Sequence, residues 1–147
     1  MTEFDELPIL LIEDNEIDVI AFRRGMQKLG LNNPLRVAQQ GRKALQLLRG
    51  QNETQTITLP ALIFLDINMP IMDGHGFLAS LREDQQLRSC IVFMLTTSNH
   101  REDVRRAYER NVAGYIVKQD VGKNFEKLWK MVRSYFEVVT LPSGSAS

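Results

Sequence analysis

The sequence is poor in the residues that announce covalent cross-links, membrane insertion or nucleic-acid binding. Its 147 residues include one cysteine, Cys90, so no intrachain disulfide can form, and the chain fits a reducing compartment. Cys90 itself reads as a small packing residue ahead of a buried strand. There are two histidines, His75 and His100, which read as surface-loop or helix-start residues without a role. Neither charge is in excess: Lys+Arg and Asp+Glu both count 18, which leaves no electrostatic footprint for nucleic acid or an anionic membrane. No apolar run approaches the roughly 20 residues of a membrane span, and residues 1–6 are acidic rather than an apolar signal segment. The expectation is a cytoplasmic protein with no membrane and no nucleic-acid partner. What remains is ordinary for a soluble fold, with 44% hydrophobic and 24% charged residues. The length suits one domain that buries a full core without staples.

Short continuous apolar runs occur at Ile9–Ile12, 61–65, 91–95 and 115–117, with a weaker one at Leu35–Ala38. Rich in Ile, Val and Leu, they read as strands buried on both faces of a parallel sheet. Segments of helical period lie between them. In 17–29, Ile17, Ile20, Ala21, Met26 and Leu29 are spaced as one apolar stripe, and Gly30 follows as a stop. The others are 42–49, 74–81, 102–110 and 122–136. Five strands alternating with five helices give an α/β fold of βαβ units, with right-handed crossovers and helices on both faces. The polar stretch 51–60 predicts a surface loop. Residues 143–147 read as a flexible end, and no second domain is expected after residue 137.

In such a sheet, chemistry gathers at the carboxyl ends of the strands. The first strand ends in Glu13 and Asp14, the third in Asp66 followed by Asn68, the fourth in Thr96 and Thr97, and the fifth in Lys118. Crowded carboxylates repel one another, and a divalent cation relieves that repulsion. A hard ion such as Mg²⁺ takes oxygen ligands, so Glu13, Asp14 and Asp66 could hold it, with the Asn68 carbonyl as another ligand. An Asp carboxylate can attack phosphorus to give an aspartyl phosphate. A lysine and a hydroxyl, here Lys118 and Thr96, could then neutralise and hydrogen-bond the phosphoryl oxygens. Taken singly, these residues have bland readings: Asp14 as the cap of the helix starting near Glu16, Thr96 as a turn hydroxyl, Lys118 as a solvated lysine. The functional reading comes from their order along four strands.

These residues resemble the receiver domains of two-component response regulators. Glu13 and Asp14 match the family's metal-binding acid pair, and residues 64–74, FLDINMPIMDG, look like its phosphoacceptor loop. Leu95, Thr96 and Thr97 match the switch hydroxyl, Val117 and Lys118 the strand-five lysine, and Tyr115 the aromatic switch position. The resemblance implies a flavodoxin-like five-stranded parallel sheet, strand order 2-1-3-4-5, with the receiver domain over 7–137 and a C-terminal extension over 138–147. It implies Mg²⁺ at Asp14, Asp66 and the Asn68 carbonyl with Glu13 nearby, and a sensor histidine kinase as phosphoryl donor to Asp66. Phosphorylation would draw Thr96 toward the phosphate and let Tyr115 turn inward. The face built from the fourth helix, fifth strand and fifth helix would then change its partner affinity. The chain departs from the family pattern at Glu13, where Asp is commoner, and at Gln119, where a proline is usual and whose absence gives the next loop another path.

A narrower similarity is to single-domain regulators that partner bacterial, especially cyanobacterial, phytochromes. It rests on the 51–60 loop, the run Leu95, Thr96, Thr97, Ser98, and the tail with Tyr135, Phe136, Val138, Val139, Thr140, Leu141 and Pro142. It implies a homodimer, in which Val138, Val139 and Leu141 pack on a second copy; the alternative is that they fold back on their own last helix.

Three other functions compete. A phosphatase using Asp66 transiently would need a second acid two residues on, where Asn68 stands; slow self-dephosphorylation is the most expected here. A flavin module would need a phosphate-cradling loop after the first strand, where Glu13, Asp14, Asn15 and Glu16 would repel a phosphate. A DNA-binding stripe of Arg101, Arg105, Arg106 and Arg110 is interleaved with Glu102, Asp103 and Glu109, which favours ion pairs on a solvated helix.

Overall fold

A computed structural model describes residues 3–51 and 57–142; the expected loop tip at 52–56 and flexible end at 143–147 lie outside the described residues. Five strands, β1 (Ile9–Ile12), β2 (Leu35–Ala38), β3 (Leu62–Leu65), β4 (Ile91–Thr96) and β5 (Gly114–Val117), form one parallel sheet in the order β2-β1-β3-β4-β5. Among the described residues, six α-helices surround it: α1 (Glu3–Glu6), α2 (Glu16–Lys28), α3 (Gly41–Leu48), α4 (Gly74–Glu83), α5 (Arg101–Glu109) and α6 (Glu126–Val138).

The strands alternate their side chains between two cores, as a period of two requires. Leu10, Ile12, Ile63, Leu65, Val92 and Met94 pack on one face with Ala44 and Leu48 of α3, Phe77, Leu78 and Leu81 of α4 and Ala107 of α5. Ile9, Leu11, Leu62, Phe64, Phe93 and Leu95 pack on the other with Phe4 of α1, Phe22 and Met26 of α2 and Trp129 of α6. Burial on both faces is why the strands read as unbroken apolar runs. Trp129 is fully buried and meets Phe22 edge-on, with ring centroids 4.6 Å apart. The doubly wound order reverses direction between β1 and β3, and that switch point opens a crevice at their carboxyl ends.

The structure corrects the helices more than the strands. The stripe of α2 is centred on Phe22, Gly25 and Met26, while Ile17 and Ile20 are 77% and 49% exposed. Gly25 decides the orientation: a Cβ there would stand 2.2 Å from the Asn124 carbonyl oxygen and 2.5 Å from the Trp129 ring. The last helix starts at Glu126 rather than 122, because Asn124 and Phe125 take left-handed φ values of 54° and 53° in a 3₁₀ turn ahead of it. Nothing in the sequence marks α1, a single turn closed by the Leu7 N–H donating to the Phe4 carbonyl at 3.0 Å and tied to the rest of the fold by tertiary contacts. The Asn33 side-chain amide donates to the Phe4 and Leu7 carbonyls, and Phe4 stacks on Phe136 at 5.1 Å. Cys90 is buried just before β4, as expected. Among the described residues no helix is long and apolar enough to cross a membrane.

Candidate functional site

The strand ends bring the expected residues together by backbone hydrogen bonding. The Glu13 N–H donates to the Ala38 carbonyl at 2.9 Å and the Asp66 N–H to the Ile12 carbonyl at 3.1 Å, so both acids are fixed where the ladders end. Glu13 and Asp66 are buried, while Asp14 is exposed. One carboxylate oxygen from each of Glu13, Asp14 and Asp66 lies within 4.8 Å of the others. The cap of α2 is Asn15, not Asp14: its Oδ1 accepts from the Ile17 and Asp18 N–H groups at 3.0 and 3.2 Å. This leaves the Asp14 carboxylate for the cluster. Three hard oxygen donors converging on one point are the set that a divalent cation takes.

Lys118 closes the other side. Its Nζ donates to Glu13 Oε1 at 2.5 Å and to Asp18 Oδ2 at 2.7 Å, and stands 3.7 Å from Asp66 Oδ2. Burial opposes the lysine charge, but Asp18, Glu13 and Asp66 outweigh it and hold the ammonium above the usual lysine range. Burial also pushes the Glu13 carboxyl up to about 7, against its hydrogen bond from Lys118 and aided by the charge of Asp66. Beyond Lys118 the chain turns directly into a 3₁₀ segment, Lys118–Asp120, with Gln119 exposed.

The loop after Asp66 is tightly built. The Ile67 N–H donates to Asp66 Oδ1 at 2.8 Å, the Gly74 N–H reaches back to the Ile67 carbonyl at 2.9 Å, and Asp73 caps α4 through the Gly76 N–H. A Cβ at Gly74 would fall 2.4 Å from the Asp66 carbonyl oxygen, so only glycine lets α4 start beneath this loop. Asn68 is exposed on the same loop.

Thr96 ends β4, fully buried, and its Oγ1 accepts from the Ser98 N–H at 3.4 Å. Tyr115 is half-buried, and its hydroxyl donates to the Ser98 carbonyl at 2.9 Å, so the ring already packs inward. Ser98 Oγ in turn donates to Asp103 Oδ2 at 2.5 Å, and Asp103 Oδ1 lies 2.9 Å from His75 Nε2. His75 is therefore not the surface residue expected from its helix-start position. It is buried and joins the first turn of α4 to α5 and to Tyr115. Asp18 was also missed as a site residue; its signal was an acid one helical turn beyond Asp14. His100 does lie exposed at the start of α5, as expected. On α5, Arg105 pairs with Glu102 and Glu109, in keeping with the ion-paired reading of that helix.

Residues 9–133 match the family described as response regulator receiver domain. Response regulator Rcp1 of Synechocystis is 33% identical over 139 residues, covering 92% of either chain. The solved structure of Rcp1 in its Mn²⁺-bound form superposes with a TM-score of 0.75 at 31% identity, over 93% of this chain and 99% of that one. The phosphorylated cyanobacterial phytochrome response regulator RcpA superposes with a TM-score of 0.79 at 28% identity, over 94% and 99%. With this similarity running through every strand that carries a site residue, the chain belongs to the response regulator receiver family.

Proposed function

We propose that this receiver takes a phosphoryl group onto Asp66 from a sensor histidine kinase and, once phosphorylated, changes its affinity for a partner. The observation that carries the reading is the meeting of Asp66 with Glu13, Asp14 and Lys118 at the ends of three strands. A Asp66 carboxylate oxygen forms the new bond to phosphorus while the bond to the donor's leaving group breaks, and the leaving group departs with the electron pair. Lys118 faces the charge that builds on the phosphoryl oxygens, and the Thr96 hydroxyl is their further hydrogen-bond donor.

The oxygen donors fit Mg²⁺, which Glu13, Asp14, Asp66 and the Asn68 carbonyl would hold and which would supply charge neutralisation for cluster and phosphate. Asn68 stands where a phosphatase of this type would carry an acid and cannot move a proton there, which favours slow self-dephosphorylation and a switch over phosphatase turnover. Tyr115, bound to the Ser98 carbonyl beside Thr96, is the reporter of that switch on the face of α5, β5 and α6. The likeness to RcpA favours a phytochrome as the kinase. The receiver occupies 7–137, in a cytoplasmic setting. The extension from 138 supports a homodimer, because Val138 is 84% exposed at the end of α6.

The test is incubation with acetyl phosphate, with and without Mg²⁺, read by intact mass on wild type and Asp66→Asn. The expected result is a Mg²⁺-dependent gain of one phosphoryl group that Asp66→Asn abolishes. No gain, under conditions that label another receiver, would mean that the fold signals without phosphate.

A further inference from the structure

Lys118 has a partner outside the acidic cluster. Asp18 sits in the first turn of α2, its N–H held by the Asn15 cap, so a rigid helix start presents its carboxylate. Asp18 Oδ2 accepts from Lys118 Nζ at 2.7 Å, whereas Asp66 Oδ2 stands at 3.7 Å, beyond direct hydrogen bonding. The lysine is thus seated on Glu13 and Asp18 and only faces the phosphoacceptor. Glu13 is shared with Asp14 and Asp66 in the cation cluster; Asp18 is not a member of it. Any demand on Glu13 from that cluster leaves Asp18 as the carboxylate that belongs to the lysine alone. The Lys118 side chain is 9% exposed, so solvent offers little in exchange for a lost partner.

We propose that Asp18 is a positioning residue for phosphoryl transfer: it holds the Lys118 ammonium off Asp66 and so limits how far the lysine reaches toward the incoming phosphoryl group. The proposal rests on the phosphoacceptor reading. To bond a phosphoryl oxygen, the ammonium must loosen a short charge-assisted hydrogen bond to Asp18, and that bond opposes the approach. Removing the Asp18 charge lets the lysine move in, and transfer quickens.

Two measurements test this. In the first, without phosphoryl donor or Mg²⁺, the ε-methylene ¹³C resonance of Lys118 is compared in wild type, Asp18→Asn and Asp120→Asn, the last removing an exposed acid just past the lysine. The resonance moves in Asp18→Asn and stays in Asp120→Asn. In the second, the rate of labelling by acetyl phosphate at saturating Mg²⁺ is followed by intact mass. Asp18→Asn raises it about fivefold, the size of a partly released charge-assisted bond, and Asp18→Glu stays near wild type. In a Lys118→Gln background the same Asp18→Asn change has no effect. Equal acceleration in both backgrounds would make Asp18 a through-space charge and overturn the proposal. So would a moved resonance with an unchanged rate, or a resonance that does not move. A wild type that takes no phosphoryl group overturns the phosphoacceptor reading and with it the role in transfer; the resonance then decides only where Lys118 sits.

Discussion

Glu13 bears the strongest electrostatic tension of the site. Its carboxyl is pushed from 4.5 up to about 7 by burial and by Asp66, so in metal-free protein the folded state keeps a proton that the unfolded chain gives up. The sign follows: this contribution to stability is fully present below about pH 4.5 and declines as pH rises through about 7. Lys118, whose range is raised, titrates above this window and does not offset the trend. Urea midpoints measured with a chelator should fall from about pH 5 to about pH 8 in wild type, and Glu13→Gln should flatten the slope. An equal slope in Glu13→Gln would assign it to other groups. At this scale the sequence was legible wherever a residue ends a strand, as Glu13, Asp66, Thr96 and Lys118 do. It was missed for Asp18 and His75, which end no strand: their roles come from Lys118 and Asp103, 100 and 28 residues away, which only the fold brings near.

Among the elements, α2 shows what hydrophobic periodicity does and does not carry. Ile17 and Ile20 count toward an apolar stripe but lie on the outer side; the helix is oriented instead by Phe22 and by the missing side chain at Gly25. A glycine gives no hydrophobic signal, so the packing of α2 against Asn124 and Trp129 could not be read in advance. Gly25→Ala drives a methyl into a backbone oxygen 2.2 Å away, and the backbone has to shift. The expected loss is about 1–3 kcal/mol by chemical denaturation. Gly30→Ala, at φ 67° but with open space around it, should lose about 1 kcal/mol or less. A Gly25→Ala loss no larger than that of Gly30→Ala would mean that the contact relaxes freely. The strands, by contrast, were legible to within a residue or so, since burial on both faces writes itself as an uninterrupted run.

For the whole molecule, the alternation of strands and helices made the parallel α/β class legible, and the strand order followed from the resemblance of the strand-end residues to receiver domains, whereas the association of the C-terminal segment was not legible. Of its three apolar residues, Leu141 folds back on the core formed with α6, Val139 is half-buried and Val138 stands clear. If the extension joins two copies, Val138 is the contact, and light scattering should give a dimer that Val138→Asp converts to monomer with its thermal midpoint retained. A monomeric wild type at high concentration, phosphorylated or not, would remove the dimer. The single tryptophan adds an optical consequence. Trp129 lies sealed among aromatic rings on the face of the sheet opposite to the core against which Tyr115 packs. Its emission therefore follows the integrity of the fold, so the molecule carries a built-in gauge of unfolding.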